Sequence, residues 1–144
     1  MEYRRLRRGV LASAPVALAG LWCFPAVAED NTKQDKMIQQ LRIYEIFESN
    51  KAAFHARFRD HAARIMKKYD FNIAAMWESR SAERTEFVYL LQWPDAGTMT
   101  DRWSRFMADQ EWSDIKKETA AKSGTMVGEI QDRVLHMTDY SPRP

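Results

Sequence analysis

Apolar positions along this chain follow two different periods. Over residues 40–47 they alternate, with Leu41, Ile43 and Phe47 on one parity and Arg42, Tyr44 and Ile46 on the other, which predicts a strand. Ser49 or Asn50 can cap the next segment, where Phe54, Phe58, Ala62, Ile65 and Tyr69 gather on one arc of a helical wheel. Asp60, Arg64 and Lys67 fall outside that arc, so the segment reads as a one-sided amphipathic helix. Two strand-like runs follow at 71–79 and 85–93, separated by a polar loop at 80–83 that is short enough for a hairpin. Pro94 stops the second run. Asp95 then opens a helix with Met99, Trp103, Phe106 and Met107 at i, i+4, i+7 and i+8, and Asp109 caps a short following helix that carries Trp112 and Ile115 and ends before Gly124. Residues 128–138 alternate again, Ile130, Val134 and His136 against Leu135 and Met137.

The order β-α-β-β-α-β with an extra helix predicts an α+β, ferredoxin-like fold: four antiparallel strands with the helices on one face. Such a sheet leaves its other face bare. A sheet buried on one side alternates apolar and polar residues, yet here Phe87, Tyr89, Leu91 and Trp93 oppose Val88 and Leu90, and Phe71, Ile73, Ala75 and Trp77 oppose Ala74 and Met76. Strands apolar on both sides need two covers. An uncovered apolar face of this kind marks an interface, and the simplest cover is a second copy of the same sheet.

Composition changes the picture at the N-terminus. Of the 144 residues, the first 28 carry the three parts of an export signal: Arg4, Arg5, Arg7 and Arg8, a small and apolar run at 10–22, and Ala26-Val27-Ala28 before Glu29. The run is too short for a permanent membrane span. Its Arg7-Arg8 pair leaves both twin-arginine and ordinary secretion open. Removing residues 1–28 takes away four Arg and one Glu, so 22 basic and 20 acidic residues become 18 and 19, and the formal net charge of +2 becomes −1. The basic balance therefore belongs to the signal and gives no reason to expect nucleic acid. The only Cys, Cys23, leaves with it, and the bulky Trp22 before it argues against a lipid anchor. The mature chain thus has no disulfide and no thiolate chemistry. Residues 29–38 read as a loose polar tail and 39–142 as one domain.

The residues also resemble a known family. "LRIYEI" (41–46), "FRDHA" (58–62), "WES" (77–79), "EFVYLLQWPD" (86–95), "RWSRF" (102–106), "DQEW" (109–112) and "DYSP" (139–142) are similar, in order, to the NIPSNAP family. The resemblance implies a dimeric α+β barrel, two ferredoxin-like units packed sheet to sheet around a lumen. It implies no mechanism, because the family's molecular activity is poorly defined.

Candidate functional residues are those that could line such a lumen. His61 lies at the edge of the first helix's apolar arc, within "FRDHA", and ranks first; its plain alternative is a boundary histidine bonded to backbone or water. Arg42 and Tyr44 share a strand parity that faces away from the helices if Leu41 and Ile43 pack beneath them. A buried Arg42 needs either a carboxylate such as Glu78, the favoured reading, or an anionic ligand group. Tyr44 offers a hydroxyl beside an apolar surface, and Trp77 and Trp93 offer ring faces. Glu78 is structural if it pairs with Arg42 and a general base if buried alone.

Much chemistry is absent from the sequence. It has no phosphate-binding glycine loop, no nucleophile elbow, no zinc-type spacing and no basic aromatic patch. Its three scattered histidines make a weak metal signal, although one could ligate haem. The expectation is an exported homodimer whose lumen binds a small, largely apolar molecule. Two rivals stand beside it: a cofactor-free oxygenase or haem-handling enzyme using His61, Tyr44 and a lumen tryptophan, and a plain interaction module.

Overall fold

The computed structural model describes residues 37–142. The expected export signal and the expected tail up to residue 36 lie outside the described residues. The elements are β1 (Ile38–Ile46), helix α1 (residues 51–68), β2 (Asn72–Arg80), β3 (Thr85–Trp93), α2 (Ala96–Met107), α3 (Gln110–Ser123) and β4 (Val127–His136). The strands form one antiparallel sheet in the order β2-β3-β1-β4, with the hairpin strand β3 beside β1 at the centre. This is the ferredoxin-like α+β arrangement. Ile38, read from the sequence as the end of the tail, is buried and pairs with Trp93.

Local chemistry sets the element ends. Pro94 cannot continue the ladder after β3. The Asp95 carboxylate accepts the Thr98 backbone N–H at 2.7 Å and caps α2, and Asp109 does the same for α3 through Trp112 N–H at 2.9 Å. Gly124, at φ 72°, ends α3 in a backbone region that other residues rarely enter. The helix expected to be short is the longer of the two, 14 residues against 12. Its apolar pattern fades after Ile115, but residues 116–122 are mainly Lys, Glu and Ala, which favour helix, and Lys122 pairs with Glu118 at 2.6 Å.

The helices cover one face of the sheet. Thr85, Phe87, Tyr89, Leu91 and Trp93 of β3 point into that layer and are all buried. Phe54 and Phe58 of α1 pack on Phe87 with ring centroids 5.2 and 4.6 Å away. Farther along, Phe71 meets Trp93 and Trp103, each at 4.8 Å. Burial of each of these rings contributes roughly 1.5–3 kcal/mol, which makes this layer the main source of stability.

Two strand orientations differ from the alternation in the sequence. In β1, Arg42 pairs with Tyr89 and Tyr44 with Phe87, so Gln40, Arg42, Tyr44 and Ile46 face the helices. Leu41 and Ile43 face away, the reverse of what their hydrophobicity suggests. The reason is a polar network in the covered layer that pairs Gln40 with Trp93, Trp103 and Asp132, and Arg42 with Asp132 and Tyr44. In β2, the register shifts between Ile73 and Ala75. This bulge puts Ile73 opposite Leu91 on the helix side, while Trp77 pairs with Val88 on the other.

The far face carries Leu41, Ile43, Val88, Leu90, Trp77 and Leu135. No element among the described residues covers it, and Trp77 is 51% exposed.

Candidate functional site

A cavity of about 240 Å³ lies on the helix side of the sheet, between α1 and α2, the start of α3, and strands β1 and β4. Its walls are aromatic and aliphatic, with Phe58, Trp103, Phe106 and Trp112 prominent. Its mouth is rimmed by Met107 and Ile130, which are 55% and 50% exposed. A larger but more open hollow of about 410 Å³, lined by Met37, Asn72 and Arg102 among others, lies at the other end of the sheet. The enclosed cavity has the stronger chemical case, because polar groups converge at its floor.

Those groups form one connected network. The Gln40 side-chain oxygen accepts both the Trp93 indole N–H at 3.0 Å and the Trp103 indole N–H at 2.7 Å. The Gln40 amide donates to Asp132 at 2.8 Å, and Arg42 donates to the same carboxylate at 2.5 Å. Arg42 also donates to the Tyr44 hydroxyl at 3.2 Å, which lies 2.8 Å from the Tyr89 hydroxyl. Arg42 stacks over the Trp103 ring at 4.8 Å. Gln40, only 2% exposed, is thus a buried polar residue with every strong valence used.

Burial pushes the Tyr89 hydroxyl well above its ordinary value, and the neighbouring Tyr44 adds to this, so Tyr89 stays a neutral phenol. Burial opposes the charge on Arg42, but the Tyr44 and Tyr89 oxygens and Asp132 outweigh it, and the guanidinium remains charged. Arg42 Nε is buried without an acceptor. The floor therefore holds more donors than acceptors.

The helix α1 shapes one wall through a local irregularity. Residues Phe58–Ala62 form a π turn, in which the Ala63 N–H bonds back to the Phe58 carbonyl. The extra residue rotates the later turns of α1 by about 100° relative to a straight helix. Met66, off the apolar arc of a regular wheel, is thereby buried and lines the cavity with Phe58 and Ala62.

The six residues singled out in the sequence are parted by the fold. Arg42 and Tyr44 line the cavity, but on the helix side rather than facing away from it. Arg42 pairs with Asp132, not Glu78. Glu78 sits instead at the β2 edge, bonded to Lys51 at 3.0 Å and His55 at 3.1 Å, and these partners, Lys51 first, hold its carboxyl below the usual range. Trp93 supports the floor through Gln40 but belongs to the lining of the open hollow. Trp77 lies on the opposite face of the sheet. His61 is outside the cavity lining. The cavity wall contains no imidazole, so the ligation on which a haem reading relied does not fit it.

The sequence reading missed Arg57 and Lys116. Both are charged residues beside apolar ones on amphipathic helices, a pattern that normally marks a solvated flank. The signal that distinguishes them is a π turn, which has no sequence signature, and the tertiary approach of α3.

No group of three or more metal-ligating side chains converges among the described residues, and none of their helices is long and apolar enough to cross a membrane. The sequence model of the NIPSNAP family matches residues 38–142, the entire described domain save Met37. The chain belongs to the NIPSNAP family. Solved NIPSNAP structures share the fold at low identity. An uncharacterized NIPSNAP-like domain protein from Burkholderia xenovorans superposes with a TM-score of 0.64 at 17% identity, covering 76% of this chain and 91% of that one. A NIPSNAP family protein from Agrobacterium tumefaciens gives 0.63 at 18%, covering 74% and 97%. No curated protein sequence matches with significance.

Proposed function

We propose that this NIPSNAP protein is an exported homodimer that binds a small, largely apolar molecule in the cavity between the helices and the sheet of each chain. One observation carries the reading: an enclosed aromatic cavity ends on a hydrogen-bonded Arg42–Tyr44 floor. Apolar walls supply affinity through water release, and a few fixed polar groups orient the ligand. Binding in this account needs only one chain. The sheet's far face is left for a second copy, whose own Leu41, Ile43, Val88 and Leu90 would cover these, with Gln39, Glu86 and Arg133 at the rim.

The binding reading is tested by adding small apolar compounds and following tryptophan emission, since Trp103 and Trp112 stand in the wall. A saturable change that disappears in Ala62→Leu, with the fold intact by circular dichroism, is expected. A change that survives the filled cavity would place the ligand elsewhere. Native mass spectrometry of the protein from its own cells, showing a co-purified molecule and a chain beginning near Glu29, would support both the ligand and the export.

A further inference from the structure

Arg57 is the unbalanced charge of this cavity. It lies half-buried in the lining, and its one side-chain hydrogen bond is to the Thr119 hydroxyl at 3.3 Å, whose proton goes to the Ile115 carbonyl at 2.7 Å. No carboxylate among the described residues pairs with it. Tyr44, bonded to Arg42 at 3.2 Å, shares the cavity lining with Arg57. Lys116, also in the lining, lies 5.7 Å from the Trp112 ring centroid. The lining holds three cations and no carboxylate, and Asp132 behind it offsets only Arg42. A half-buried guanidinium without a counter-charge is costly unless an anion completes it.

We infer that the ligand is an apolar monoanion, a carboxylate on an aryl or alkyl body, with its head on Arg57 and the Tyr44 hydroxyl and its body among Phe58, Phe106 and Trp112. This rests on the binding function proposed above and names its ligand class. The space equals that of roughly eight water molecules, which suits a body of one or two rings or a medium chain. A guanidinium meets a carboxylate in a planar two-bond geometry that a Lys cannot reproduce, and such charge-assisted bonds are the strong ones.

The test compares 2-naphthoate with the neutral 2-naphthamide, and octanoate with octanamide, by calorimetry at neutral pH on wild type, Arg57→Met and Arg57→Lys. For at least one body, wild type should bind the carboxylate about tenfold to a hundredfold tighter than the amide. Arg57→Met should erase most of that preference by weakening the carboxylate far more than the amide, in a protein whose melting temperature is not lowered, and Arg57→Lys should restore part of it. Whether naphthoate or octanoate shows the larger effect identifies the body as aryl or alkyl. Equal binding of acid and amide to wild type, or a preference that survives Arg57→Met, overturns the inference while leaving apolar binding intact. If neither acids nor amides bind, both the inference and the binding function fall.

Discussion

The two faces of the sheet both carry apolar side chains, but only one of them is covered. The helix face has a closed aromatic layer, a saturated polar network around Gln40 and a cavity above it. The far face is a band of Leu41, Ile43, Val88 and Leu90 with Trp77 half exposed, and its polar groups sit at one end and along β4, where Arg84 joins Glu86 to Glu129 and Gln131 joins Glu129 to Arg133. On the first face, Gln40 is buried because the two indoles and Asp132 meet its side chain within the chain. On the second, half-buried apolar residues have no cover among the described residues, which is the ground for proposing a second copy there. Polarity and burial are therefore uncoupled here, and what decides the role of a face is whether its groups are satisfied.

The sharpest way to break the comparison is to leave the helix face unsatisfied. Gln40→Leu keeps the volume but strips the acceptor from one buried and one half-buried indole N–H, and should cost about 2–5 kcal/mol in urea unfolding. A loss below about 0.5 kcal/mol, the size of an ordinary surface change, would mean that the network is ornamental.

Asp109 comes next. It caps α3 and also accepts from Lys68 at 2.8 Å and from the Tyr69 hydroxyl at 2.6 Å. Asp109→Ala should lose about 1–2 kcal/mol. The same bonds, that from Lys68 first, then Tyr69 and the Trp112 N–H, hold its carboxyl well below the usual range. Because the folded value lies below the unfolded one, the stabilisation is complete above about pH 4 and drains away as pH falls below it. Acid titration of wild type against Asp109→Asn should show the difference between the two shrinking in that range.

Leu90→Lys, on the far face, should change the stability of the single chain by less than about 1 kcal/mol while abolishing the dimer in light scattering. A wild-type chain that is a folded monomer at micromolar concentration would contradict the role given to that face. The smallest effect is expected at Asp70, at φ 56° in the turn between α1 and β2. Asp70→Gly relieves that backbone but loses a weak pairing with Arg102, so a net change within about 1 kcal/mol is expected by thermal melting.

Much of the fold was legible because its punctuation is local. Asp95 and Asp109 cap helices, Pro94 closes β3, and β3 spans 85–93 as its apolar run implied. The cavity was less legible, for reasons that are not local. Arg42 and Tyr44 read as facing away from the helices until the indoles and Asp132 are brought to this side of β1 by other elements, so the parity of β1 reads backwards. The bulge after Ile73 separates Trp77 from its apparent partners, and the π turn carries His61 away from the site while bringing Met66 in. Tyr44 and Arg42 were found by their chemistry even though the face was misjudged.

The central claim is that ligand and second subunit occupy opposite faces of one sheet. The most direct measurement is calorimetric titration of 2-naphthoate into the Leu90→Lys monomer and the wild-type dimer under identical conditions. Affinity within about twofold, at one site per chain in both, is the predicted result. Loss of binding in a monomer that remains folded would move the site into the space between subunits and contradict the account.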